Sequence, residues 1–219
     1  NQFLAYDNLN ILAAYMGGIN LTAARVNSPS LRSFILPEVY PANPTADIPS
    51  GDGPIVYGAR GPRLVRNDYY IREVSAGGAD AQPCYGAVWV TPAFVPAPPG
   101  PIYTAVATAS PTIVAGSWVL ATLTFNQALP SGRYAVVGLS VVCNDAQFAR
   151  LAFPGVPMLR PGVVVEDTYG NKPWTPQFLN GNFGSFGEFE NTVPPNIEVL
   201  GDTAGAESLT AYLQLVKVR

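Results

Sequence analysis

Proline and glycine set the terms on which this chain can fold. Its 219 residues include 22 Pro and 21 Gly, so a helix breaker or turn opener recurs at roughly every fifth position. Proline removes a backbone donor and fixes φ at about −65°, and neither a long helix nor an uninterrupted interior strand tolerates that density. What lies between the breakers is short, apolar and rich in Val, Tyr, Phe, Thr and Leu. That is the composition of β-strands bounded by turns.

After Pro62 nine such runs follow, at 68–74, 86–91, 102–108, 117–125, 133–143, 147–153, 162–167, 196–200 and 208–218. The strongest hairpin signal joins 117–125 to 133–143, because Leu129-Pro130-Ser131-Gly132 puts Pro and Gly at turn positions between them. Run 133–143 is apolar on both faces, with Ala135, Val137, Leu139, Val141 and Cys143 on one and Tyr134, Val136 and Val142 on the other. It belongs in the middle of a packed assembly. Run 208–218 alternates more cleanly, Leu209, Ala211, Leu213 and Leu215 against Thr210, Tyr212 and Gln214. It is expected between two other strands.

Before Pro62 the pattern differs. Residues 7–16 read as a short helix: Asp7 caps, Leu9, Leu12, Ala13 and Met16 follow the helical repeat, and Gly17-Gly18 stops it. Turn chemistry then runs to about Gly61, which reads as an extended arm. The expected organisation is a helix with a proline-rich arm over 1–61 and a β-sandwich core over 62–219. Two insertions interrupt the core. Residues 92–101, rich in proline, suit a stiff crossover. Residues 169–195 form a long loop carrying Tyr169, Trp174, Phe178, Phe183, Phe186 and Phe189, of the kind that is functional or packs on a partner. The fold class expected is all-β: a jelly-roll-like antiparallel β-sandwich with a short N-terminal helix and extended arm. Long connections favour it over an up-and-down barrel, and missing Cys and Trp landmarks count against an immunoglobulin-like sandwich.

Histidine is absent, which removes Ser-His-Asp triads, Cys-His dyads and imidazole metal ligands. Carboxylates are the only plentiful catalytic groups: Glu166-Asp167, Glu188 with Glu190, and Asp202 with Glu207. Glycoside hydrolysis needs two carboxyls about 5–10 Å apart, and neighbours on a strand point to opposite faces, so Glu166-Asp167 is not such a pair by itself. The simpler reading of all six is loop charge that keeps a surface wet. Asn144-Asp145 and Gly201-Asp202 have oxygen ligands without any EF-hand or nonapeptide spacing. No catalytic residue, metal or cofactor is expected, and the chain reads as a non-enzyme. Cys84 and Cys143 match no metal spacing and read as buried free thiols in adjacent strands, a disulfide being the alternative. The apolar runs are too short for a membrane-spanning helix, and no signal peptide is legible at the start.

Only 12% of residues are charged against roughly 25% in an ordinary soluble domain, too few to cover an independent surface. Ten of the twelve basic residues are Arg. Arg60, Arg63, Arg66 and Arg72 cluster beside Tyr69 and Tyr70. A net charge of −3 does not suit a coat for nucleic acid, so direct nucleic-acid binding is not expected to dominate. Arginine's planar fork suits interfacial carboxylates, and seven acids lie between Glu166 and Glu207. Those Arg and Tyr residues, with Trp174, Phe183, Phe186 and Phe189, are the interface candidates.

The short helical start, the proline-rich arm, the β core with Gly/Pro/aromatic insertions, the scarcity of Lys and the lack of His together resemble single jelly-roll capsid proteins of tailless icosahedral viruses, phages included. The likeness is one of composition and layout over the whole chain. It implies a subunit that packs side by side in many copies into a closed shell, with the arm reaching a neighbour. It also implies other capsid proteins or an inner membrane as further partners, and a place in the virion after assembly in host cytoplasm. The chain departs from many coat proteins in having no Arg/Lys-rich tail, so a motor-filled shell, an inner membrane or a separate internal protein is expected to stand in for direct genome neutralisation. Two readings from other classes stand beside this one. A secreted, extracellular carbohydrate-binding or adhesin sandwich would use Trp174 and Tyr169 as stacking platforms, and a glycoside hydrolase would use the carboxylates alone.

Overall fold

The structure, a computed structural model, describes residues 2–3, 8–17, 21–27, 55–56, 58, 61, 63–65, 69–76, 85–157, 159–166, 175–201 and 203–219. Apart from short 3₁₀ turns, the regular elements among them are β-strands, and the strands pair antiparallel. The chain divides into two units, Asn1–Phe94 and Val95–Arg219. The boundary expected at 61/62 falls inside the first.

The first unit contains β1 (Gln2–Phe3), β2 (Asn8–Gly17), β3 (Leu21–Asn27), β4 (Ile55–Val56), β5 (Arg63–Val65), β6 (Tyr69–Ala76) and β7 (Tyr85–Thr91). One sheet is built around β2, which pairs with β4, β5 and β7. The other has the order β1-β6-β3. The helix expected over 7–16 is therefore corrected to a strand, β2. Leu9, Ile11, Leu12, Ala13, Ala14 and Tyr15 are all buried, so the helical spacing of Leu9, Leu12, Ala13 and Met16 was a subset of a run apolar on every side. Periodicity cannot separate a strand buried on both faces from a helix. Pairing with β7 decides for the strand, with a register shift between Ile11 and Ala13.

The second unit contains β8 (Ile102–Ala109), β9 (Thr112–Ile113), β10 (Trp118–Ala121), β11 (Thr124–Phe125), β12 (Arg133–Cys143), β13 (Ala146–Ala152), β14 (Gly162–Val164), β15 (Gly187–Glu190), β16 (Asn196–Gly201), β17 (Gly205–Ala206) and β18 (Leu209–Lys217). They form a five-stranded sheet β11-β8-β18-β12-β15, a four-stranded sheet β10-β16-β13-β14 and a small ribbon β17-β9. The architecture is all-β and sandwich-like. Strand alternation sends Leu139, Val141, Leu213, Leu215, Ala105 and Ala107 to one face of the first sheet. It sends Ala149, Leu151, Val163, Ile197 and Val199 to one face of the second, and all eleven are buried.

β18 lies between β8 and β12, as its alternation predicts. The hairpin between 117–125 and 133–143 does not form. Run 117–125 breaks into β10, which pairs with β16, and β11, which pairs with β8, while β12 pairs with β15 and β18. Pro130 and Gly132 mark where the chain turns, which says nothing of the strand's partner. β12 is joined to β18 from Tyr134 to Cys143, a ladder that a local hairpin with a four-residue strand cannot match.

The second face of β12 is covered by the chain itself. Ala135, Val137 and Val216 pack with Ala97 and Val218. Across them lies the connection before β15, including a 3₁₀ turn at Thr175–Phe178. Gly181 N donates to Val137 O and Phe186 N to Val136 O, both at 2.8 Å, and Ser185 N donates to Val95 O at 2.8 Å. The Gln214 side chain completes the fastening, with Oε1 accepting from Asn180 N and Nε2 donating to Asn180 Oδ1 at 3.2 Å. Gln214 reaches Asn180 because its cross-strand partner is Gly138. A Cβ there would stand 2.4 Å from Gln214 Oε1. Asn180 itself is left-handed at φ 57°, a conformation Asn accepts more readily than most residues.

Candidate interaction surface

Arg60, Arg66, Trp174 and Cys84 lie outside the described residues. Arg63 sits in β5, exposed, and donates from Nε to Asn10 Oδ1 at 3.2 Å. Tyr69, Tyr70 and Arg72 lie in β6, opposite Phe3, Gln2 and Val26. Pairing thus assigns Arg63 and the β6 residues to different sheets of the first unit. Phe183, Phe186 and Phe189 are buried within this chain. Phe183 stacks on Phe178 at 5.1 Å and meets Phe186 edge-on at 6.3 Å. Phe189, in β15, stacks on Tyr134 at 5.9 Å and on Phe125 at 6.3 Å. Their rings close the protein's own interior and leave little area for a neighbour.

Ile102, Tyr103 and Tyr212 reach solvent on the five-stranded sheet, and a second group, in which an aromatic ring meets fixed charges, stands on the four-stranded sheet. Trp118 and Leu120 alternate with Val119 and Ala121 along β10, and share a sheet face with their partners Leu200 and Glu198 on β16. Trp118 is 38% and Leu120 60% exposed. Arg150 of β13, opposite Glu198, reaches across that strand and places its guanidinium 4.0 Å from the centre of the Trp118 ring. Its Nε binds Glu198 Oε2 at 2.5 Å, and Arg160 Nε lies 3.5 Å from the same oxygen. One carboxylate thus positions two arginines, and one of these is pressed on an aromatic face, an interaction worth about 0.5–1 kcal/mol at such a site. Trp and Arg held rigid in this way are the residue types that dominate binding at protein interfaces.

The sequence does not mark this surface, because run 117–125, uncharged and mostly apolar, reads as one strand of a hairpin with 133–143. The available signal is the absence of charge along Trp118–Ala121, combined with Arg150 and Arg160, the only arginines between Arg133 and Arg219, and with Glu198.

The candidate carboxylates take up other positions. Glu188 Oε2 pairs with Arg133 Nε at 2.6 Å beside a shallow depression that Val218 and Arg219 also line. Glu190 is exposed, one position along the same face of β15. Glu166 is buried and accepts from Ser140 Oγ at 3.4 Å, its backbone bridged to β12 beside Val142. Asp167 and Asp202 lie outside the described residues. Cys143 is a free, buried thiol. Burial, with the charges of Glu207 and Asp145, pushes its pKa up to about 12, so it is a poor nucleophile in the folded chain. Among the described residues no three His, Cys, Asp or Glu side chains are grouped to hold a metal ion, and no helix is long and apolar enough to cross a membrane. Compared with models of protein families, with curated protein sequences and with solved structures, the chain matches none.

Proposed function

We propose that this protein is a structural subunit of a virus or phage shell, a jelly-roll sandwich that assembles in many copies. The order of strands in the second unit carries the reading. Set aside the two-residue strands β9, β11 and β17, and number the remaining eight from first to last: β8, β10, β12, β13, β14, β15, β16, β18. The sheets then read 1-8-3-6 and 2-7-4-5. The pairs 1-8, 2-7, 3-6 and 4-5 are those of one long antiparallel hairpin, folded over so that successive pairs fall into alternate sheets, an order that supports the jelly-roll reading.

Jelly rolls serve capsids and lectins alike, so the step from winding to shell is one of fold analogy. Surface chemistry favours the shell. With 12% charged residues and ten Arg to two Lys, the exterior has the bias of contact surfaces. Shell building needs no reaction centre, since each weak lateral contact is multiplied by symmetry. On this reading the principal partners are further copies, with other coat proteins or an inner membrane as additional ones, and the place of action is the virion.

The test is sedimentation and electron microscopy of the purified full chain. Closed particles or large oligomers are expected. A monomer of 23.2 kDa persisting across salt and concentration overturns the proposal. A second reading, a carbohydrate-binding sandwich, draws on the exposed Trp118 ring beside Arg150 and Glu198. Quenching of tryptophan fluorescence by polysaccharide, lost in Trp118→Ala, would favour it.

A further inference from the structure

A sandwich of two open sheets has four edge strands, and natural proteins protect such edges with charge, proline or brevity. In the second unit two of the four, β15 and β14, are protected. β15 presents Glu188 and Glu190, both exposed. β14 has three residues and follows Pro161, while β11 has two and pairs only with Ala107 and Thr108, so that no described strand pairs with that side of β8 along Ile102–Ala105. β10 differs: its four residues, Trp-Val-Leu-Ala, hold no charge and no proline, Ser117 and Thr122 flank it, and its outward side chains are the exposed Trp118 and Leu120. It ends the order β10-β16-β13-β14, and no strand among the described residues pairs with its far side.

We propose that β10 is a self-pairing edge, on which two copies of the chain join antiparallel about a two-fold axis through Val119. The inference rests on the shell reading and deepens it by naming a contact surface and its occupant. A second copy is the occupant because the strand is complementary to itself. Residues directly opposite in an antiparallel pair share a face. An axis through Val119 sets Trp118 of each copy against Leu120 of the other, so both outward apolar side chains gain a cross-strand partner on the same face. Charge agrees. The strand brings none to the axis, and the cluster beside it holds both signs, Arg150 and Arg160 around Glu198. In an edge-to-edge union Glu198 and Arg150 of that cluster stand one and two strands behind the seam, on β16 and β13, so no like charges are pressed together where the copies meet. The union would continue two four-stranded sheets into one of eight. Four residues make a weak contact alone, which is the kind that a closed shell repeats.

The experiment uses the full-length protein. Trp118→Cys and Leu120→Cys are prepared separately, mixed and oxidised, since opposed Cβ atoms about 4.5–5.5 Å apart approach disulfide reach. A covalent dimer well above the wild-type background is expected from the mixture and not from either variant alone. Equal cross-linking by Leu120→Cys alone, or none from the mixture, overturns the inference. Sedimentation of Leu120→Lys, with an unchanged thermal melt to show that it folds, separates this inference from the shell reading. Wild-type particles that break down into smaller species in the variant support both. Particles identical in the variant overturn the β10 contact and leave the shell standing. A wild-type dimer that Leu120→Lys renders monomeric supports the contact and removes the shell, and a wild-type monomer removes both.

Discussion

The two sheets of the second unit treat part of their outward apolar surface in opposite ways, Ile102 and Tyr212 of the five-stranded sheet being themselves 45% and 40% exposed. Ala135, Val137 and Val216 on the five-stranded sheet are covered by Ala97, Val218 and a connection fastened through Val136, Val137 and Gln214. Trp118 and Leu120 on the four-stranded sheet stay in contact with solvent, with only Arg150 laid across the indole. Aromatic content is thus two signals. Aromatics in a long loop have the freedom to fold back and cover a sheet, as Phe178, Phe183 and Phe186 do. Those fixed in a short edge strand have no such freedom and stay where the pleat points them.

The largest expected effect is on the covered face. Phe178 is 1% exposed, and truncating it to Ala removes a ring from under the connection at a cost of about 3–5 kcal/mol in denaturant unfolding. A loss below about 1 kcal/mol would mean that the connection is a detachable cover, and the two faces would then differ in degree only.

Alkaline pH strikes the interior that both faces share. Cys143 lies opposite Leu209 in the β12–β18 ladder, and its pKa rises from 9.0 to about 12 through burial first and then Glu207 and Asp145. Below about 9 the thiol is protonated in both folded and unfolded chains, and its contribution to stability is fully present. Between 9 and 12 the unfolded chain sheds the proton while the folded chain keeps it, so stability falls with every step in pH and the contribution is gone beyond 12. Tyr15 in the first unit repeats the pattern from 10 to about 12, through burial. Denaturation midpoints at pH 7, 9 and 10.5 should fall steadily after 9, and Cys143→Ala should flatten that decline in the second unit. A wild-type slope unchanged by the substitution would place the alkaline loss elsewhere.

A smaller effect tests the fastening itself. Gln214→Ala removes the acceptor for Asn180 N and the donor to Asn180 Oδ1, which should cost about 1–2 kcal/mol. Amide exchange should quicken at Asn180, Gly181 and Phe186 and stay unchanged in the β13–β16 ladder. Uniform acceleration across both sheets would show that the side chain supports the whole unit and not one face.

These contrasts also mark what the sequence could and could not tell. Strand positions were legible where apolar runs met Gly or Pro: 133–143 is β12 to the residue, and 196–200 and 208–218 fall within a residue or two of β16 and β18. Partners were not legible, because Pro130 and Gly132 specify a turn and a nine-position ladder with β18 specifies a neighbour. β15 was hidden inside the long loop, since Gly187-Glu188-Phe189-Glu190 reads as polar until Phe189 is seen to face Tyr134. The run Leu9–Tyr15 mimicked a helix because burial on both faces erases the period that separates the two. The same erasure concealed the exposed surface: in Trp118-Val119-Leu120-Ala121 every residue is apolar, and only the pairing with β16 tells which two face outward.

The smallest expected effect is the sharpest test of that open surface. Leu120→Ser removes an apolar side chain that is 60% exposed and holds no described hydrogen bond or ion pair, so the folded and unfolded chains hydrate it almost alike. Its effect on unfolding in dilute solution should stay within about 0.5 kcal/mol, as for surface positions generally. The same variant should sediment as a smaller species than the wild type at high concentration, because an association that buries Leu120 loses what the monomer never gained. The two measurements must diverge for the comparison to hold. A stability loss above about 1 kcal/mol in the dilute chain would mean that Leu120 is already covered within one copy, and the four-stranded sheet would then be closed by its own chain, as the five-stranded sheet is over Ala135, Val137 and Val216.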